Sequence, residues 1–179
     1  MTDAITWFAR GIGAARTGGT LTSAEAVTRL QRLRDALADR HESYWSQQVE
    51  IQRRGVVAWL ALARGARAEA VAEMRATADL EGGTEKNAMT PGPILPAREL
   101  LAEMLLANGD AAGALREFEA TLTIEPGRFR ALAGAMQAAA AAGDSARVRR
   151  YARQLARVCE RGDSPGRPEL ALARRLAGG

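Results

Sequence analysis

Apolar residues in this chain recur every three or four positions and never alternate singly with polar ones, the spacing of one helix face and not of a strand. Ala26-Val27, Leu30, Leu33 and Leu37 form one such series, and Ala114, Leu115 and Phe118 another. The residues between them are mostly Ala, Leu, Arg and Glu, the strong helix formers. An all-α fold is therefore expected. Thr22 and Glu25 have the spacing of a capping box, which predicts a helix start near Ser23. A long helix is predicted from near Glu42 to Ala63, after the polar stretch Ala38-Asp39-Arg40-His41. All six prolines lie at Pro91 or later. Pro91, Pro93 and Pro96 precede one predicted helix, Pro126 follows its partner, and Pro165 and Pro168 come before a short last helix over 168–177. Proline lacks the amide that a helix interior needs, so these residues mark helix ends.

Between these helices lie glycine turns at Gly18-Gly19, Arg64-Gly65, Gly109-Asp110 and Gly143-Asp144. The last two glycines are 34 residues apart, whereas Gly65 and Gly109 are 44 apart, so about ten residues are inserted between the second and third hairpins. Around the third turn, Leu101, Ala114, Leu115, Phe118 and Pro126 occupy the large, small, aromatic and stop positions of a helix-turn-helix repeat. Leu132, Val148, Tyr151 and Leu155 fall on the same positions one period later. Ala70-Val71, Met74 and Leu80 fit a unit aligned over 51–84, and Trp7-Phe8 and Gly11 open a first, more degenerate one.

These motifs resemble the tetratricopeptide repeat. The resemblance implies an all-α, tetratricopeptide-like α-solenoid: one domain over 1–179, with units near 5–40, 42–84, 95–128 and 129–162, an insertion at 82–96 and a capping helix at 168–177. Over 7–177 the chain is also similar to the C-terminal part of a group of bacterial tetratricopeptide-repeat proteins to which no activity is assigned. That similarity is carried by Val49–Gln52, Ala58–Ala63, Ala78–Leu105 and Arg128–Ala135. Longer members of the group have a further helical region ahead of this one, and their insertion reads His-Pro-Val where this chain has Asn87-Ala88-Met89.

Composition narrows the function. With 47% hydrophobic but only 4% aromatic residues, the expected core is thin and built from alanine and leucine. No apolar run reaches membrane-span length and the N-terminus lacks the pattern of a secretory signal, so a cytoplasmic location without membrane insertion is expected. Cys159 is the only cysteine and reads as a core thiol; His41 is the only histidine, so zinc-type clusters are excluded. Gly11-Ile12-Gly13 has no preceding strand and suits close helix packing better than a phosphate cradle. Glu99 and Glu103 lie one helical turn apart, but nothing around them marks a substrate cleft. No catalytic, metal-binding or cofactor residue is assigned, and the chain is not expected to be an enzyme. The net charge of +4 is almost entirely arginine, Lys86 being the single lysine. Arg147, Arg149, Arg150, Arg153, Arg157 and Arg161 form a basic strip. The 21 acidic residues dilute its field and no aromatics accompany it, so nucleic acid is not the expected partner.

Two features point to binding. Trp45, Gln48, Gln52 and Trp59 share one side of the long helix, the side that lines the concave groove in a tetratricopeptide solenoid. The insertion offers Glu85 and Lys86 at its tip and Thr90 at the start of a stiff Thr-Pro-Gly-Pro end. Glu99, Glu103 and Gln137 complete the candidate partner-binding set. The expected function is a non-catalytic scaffold that binds a protein or peptide through the groove and the insertion. The alternatives are a small-molecule or enzyme-accessory domain with a pocket closed by the insertion, and a basic nucleic-acid-binding surface.

Overall fold

The computed structural model describes residues 2–84, 93–162 and 166–177, and these are all helix, turn and loop with no strand among them. They form two compact units, Met1–Leu100 and Leu101–Gly179. Unit 1 contains α1 (Thr2–Arg16), α2 (Thr20–Asp39), α3 (Ser43–Ala63), α4 (Arg67–Gly82) and the first turn of α5 (Ala97–Ala107). In it α1 packs on α2, α2 on α3 and α3 on α4, and α1 also lies against α3. Unit 2 contains the rest of α5, α6 (Ala111–Ile124), α7 (Phe129–Ala141), α8 (Ser145–Val158) and α9 (Pro168–Ala177). There α6, α7, α8 and α9 again pack in succession. The long helix expected from Glu42 is α3, and the expected last helix is α9.

The four glycine turns share one physical device. Gly18, Gly65, Gly109 and Gly143 all have positive φ, between 75° and 86°. In each, the amide after the glycine donates to the carbonyl five residues back: Gly19 to Ala14 at 2.8 Å, Ala66 to Ala61 at 3.0 Å, Asp110 to Leu105 and Asp144 to Ala139 at 2.9 Å. The glycine amide donates to the carbonyl three residues back. This double bond is the Schellman closure, which satisfies the last carbonyls of a helix and needs a left-handed residue that only glycine adopts without steric cost. The next helix starts at once, and after Gly109 and Gly143 its first amides are capped by aspartates. Asp110 accepts from Gly113 at 2.7 Å and Asp144 from Arg147 at 2.9 Å.

A fifth closure was not legible as such. At the end of α2 the Glu42 amide donates to Leu37 at 3.0 Å and the His41 amide to Ala38 at 2.9 Å, with His41 at φ 59°. A histidine therefore holds the position that glycine holds in the other four turns.

The Thr22–Glu25 capping box does not form. Helix α2 already begins at Thr20, and its N-cap Gly19 receives no side-chain bond. Thr22 is exposed, and Glu25 pairs with Arg29 at 3.5 Å. The closure at Gly18 delivers the chain in helical geometry three residues earlier than the box would, so Thr22 has no free amide to serve.

Each core is small-residue rich, as the composition suggests. Unit 1 buries Leu30, Val49, Val56 and Met74 among alanines, and unit 2 buries Leu101, Met104, Phe118, Leu132, Met136 and Leu155. Fully burying such large side chains stabilises by about 1.5–3 kcal/mol each, and each alanine contributes less. Close approach takes the place of bulk. A Cβ on Gly11 would lie 2.7 Å from Val56, and one on Gly134 would lie 2.2 Å from the Phe118 ring, so α1 meets α3, and α6 meets α7, at positions without a side chain. Gly13, by contrast, faces open space. Ala114 is fully buried, as its template position requires, whereas Val148 is only half-buried. Cys159 is also half-buried rather than a core residue: it is the C-cap of α8, where the helix has already ended and turned its next residues outward.

Candidate functional site on the third helix

Helix α3 holds four of the candidate residues because spacings of 3, 4 and 7 return to the same side of a helix. At Gly55 and Trp59 the side they occupy faces α1. The exposed Arg16 of α1 lies over the Trp59 ring, 4.5 Å from its centre, and Phe8 of α1 approaches Gly55 between Gln52 and Trp59. Trp59 is consequently 7% exposed, so it is not the open groove tryptophan that the sequence suggested. With Gly55 adding no side chain to the seam, α1 comes close enough to cover the indole.

Towards the start of the helix the stripe opens. Trp45, Gln48 and Gln52 are half-buried, and Trp45 meets Tyr44 edge to face at 4.9 Å between ring centres. Two polar atoms of the stripe are sequestered without a hydrogen-bond partner, the Gln52 Oε1 acceptor and the Trp59 Nε1 donor.

The opposite side of α3 is an ionic seam that spacing did not reveal. Glu50 accepts from Arg34 of α2 at 2.9 Å and from Arg53 at 2.7 and 2.8 Å, and Arg54 bonds Glu73 of α4 at 2.7 Å. Burial raises the Glu50 carboxyl, but the hydrogen bonds from Arg53 and Arg34 outweigh it and hold the group below its ordinary range. Glu50 and Arg53 pair within α3, three residues apart. Their partners on α2 and α4 come from neighbours that only packing brings near.

The remaining candidates differ in burial and in partners. Glu99 is fully buried in the first turn of α5, whose leading amide, that of Ala97, donates to Glu81 of α4 at 2.7 Å. Glu103 is half-buried and ion-paired with Arg130, so the spacing of Glu99 and Glu103 does not translate into a pair of carboxyls in one environment. Gln137 is exposed on α7. Glu85, Lys86 and Thr90 lie outside the described residues.

In unit 2 the polar contact that sequence missed is Tyr151 of α8, whose hydroxyl donates to Glu119 of α6 at 2.6 Å. Burial, with that bond added, pushes the phenol up to about 12. Among the described residues no group of three or more His, Cys, Asp or Glu is placed to hold a metal, and no helix is long and apolar enough to cross a membrane. No protein-family model, curated protein or solved structure matches this chain.

Proposed function

We propose that this chain is a non-catalytic scaffold of the tetratricopeptide type that binds a protein or peptide segment through its first-helix face, with the 82–96 insertion as a second contact. The observation that carries the reading is the fourfold recurrence of one helix-turn-helix closure, with the same glycine geometry at Gly18, Gly65, Gly109 and Gly143. The side-by-side packing of the first helices α1 and α3 is the arrangement such arrays use, in which each unit contacts chiefly its neighbours. Within that face, half-buried Trp45, Gln48 and Gln52 supply one aromatic surface and two amides. Tryptophan anchors are enriched among residues that dominate binding energy. A peptide backbone suits the half-buried side-chain amides of Gln48 and Gln52 because each of its amide units brings both a donor and an acceptor.

Peptides selected from a random display library against the full chain test this reading. Trp45→Ala and Gln48→Ala should each weaken the selected peptides about tenfold or more, the loss expected for an anchor worth about 1.4 kcal/mol or more. Removing residues 83–90 should weaken them further and change acrylamide quenching of tryptophan. Selected peptides indifferent to both changes would overturn the proposal.

A further inference from the structure

Helix α8 carries arginines that no acidic side chain among the described residues pairs with. Its buried residues Tyr151, Ala152 and Leu155 face the core, and Arg149, Arg150, Arg153 and Arg157 are exposed on the opposite arc. At 100° per residue these four fall within about 100° of one another. Among the described residues Arg149, Arg153 and Arg157 make no ion pair, and Arg150 makes only a ring contact, 5.6 Å over Tyr151. Arg147 leaves the strip because Asp144 and Glu119 hold it, and Arg161 lies beyond the helix end.

Several of the 21 acidic residues that were expected to dilute this field pair with arginines outside α8. Glu50 and Asp35 bind Arg34, Glu73 binds Arg54, Asp79 binds Arg98, Glu103 binds Arg130 and Glu125 binds Arg128. Among the described residues, exposed Glu160 just past the helix and half-buried Glu169 of α9, which packs on α8, belong to none of these pairs. We infer that the outer face of α8 is a contact strip for the phosphate backbone of nucleic acid, recognised by charge and not by base sequence. This inference is independent of peptide binding on α3.

Three physical points select that partner. The strip's arc holds no aromatic or large aliphatic side chain, whereas a protein interface needs a desolvated apolar or aromatic centre. The apolar face of α8 is spent on α7 and α9, so the helix has nothing to insert into a lipid surface. From Arg149 to Arg157 the helix rises about 12 Å, over which one strand of a duplex presents about three to four phosphates. Guanidinium forks suit phosphate oxygens, and the absence of stacking aromatics favours a duplex over unpaired bases.

The test is binding of the full chain to a fluorescein-labelled 30-base-pair duplex of arbitrary sequence, followed by anisotropy from 50 to 200 mM salt. Four phosphate contacts give a slope of log K against log salt near −3.6, roughly a 150-fold loss across that range. Arg149→Gln/Arg153→Gln/Arg157→Gln should flatten the loss to about 3–4-fold. Arg32→Gln/Arg64→Gln/Arg67→Gln removes the same charge from exposed arginines outside the strip and should leave the slope unchanged. Circular dichroism confirms that both variants are folded. No binding at 50 mM salt, an equal effect of the two triple variants, displacement by polyglutamate as readily as by unlabelled duplex, or tighter binding to phosphatidylserine vesicles than to duplex would each overturn the inference.

Discussion

His41 offers the most direct measure of how far the shared turn geometry governs stability. Its φ of 59° and the bonds from the His41 and Glu42 amides match those of the four glycine closures, yet it carries a Cβ. An L-residue in this region costs roughly 1–2 kcal/mol, and glycine removes that cost while adding about 0.5–1 kcal/mol of backbone freedom to the unfolded chain. The imidazole is exposed, so little packing is lost with it. His41→Gly should therefore stabilise unit 1 by about 0.5–1 kcal/mol, or about 2–8 °C for a domain near one hundred residues. His41→Val should do the reverse, since a β-branched residue tolerates positive φ worst. Trp7, Trp45 and Trp59, the three tryptophans, all lie in unit 1, so tryptophan fluorescence during urea or thermal unfolding reads this unit alone. If His41→Gly leaves the midpoint unchanged or lowers it, the cost assigned to the left-handed turn is wrong.

Other perturbations follow from the same geometry. Gly134→Ala should cost about 1–3 kcal/mol because its Cβ would enter the Phe118 ring, and pairing it with Phe118→Leu should recover part of the loss in a circular dichroism melt. Ala114→Leu should lower the melting temperature for the same reason, Ala114 being fully buried. The depressed Glu50 carboxyl contributes stability that is complete above its unfolded pKa and is lost as pH falls through the lower folded value. The acid limb of unit 1 unfolding should therefore be shallower in Glu50→Gln, measured by urea midpoints between pH 7 and pH 3. For Tyr151 the sign is opposite: its folded pKa is raised, so its contribution is complete below the unfolded value near 10 and fades as pH rises towards about 12. Tyr151→Phe should remove that alkaline dependence and cost about 0.5–1.5 kcal/mol at neutral pH, measured by urea midpoints.

The sequence by itself determined the helices, the four glycine turns and most of the core. Each depends on short-range rules: apolar spacing of three and four, glycine where φ must be positive, and proline where an amide is dispensable. Leu101, Ala114, Phe118, Leu132 and Leu155 could thus be placed inside before any packing was known. Tertiary structure decided what depends on a neighbour's identity. The capping box at Thr22 failed because the preceding turn had already started α2, and His41 took a glycine's role because two flanking helices fixed its φ. Trp59 lies on the expected side of α3, but that side meets α1, and a helix wheel gives direction without saying what stands opposite. The arginines of α8 read as a diluted run in the sequence. Their lack of partners emerges only in the fold, where Arg147 takes the neighbouring Glu119 and Asp144 while Arg149, Arg153 and Arg157 make no ion pair among the described residues, since charge balance is local in space and not along the chain.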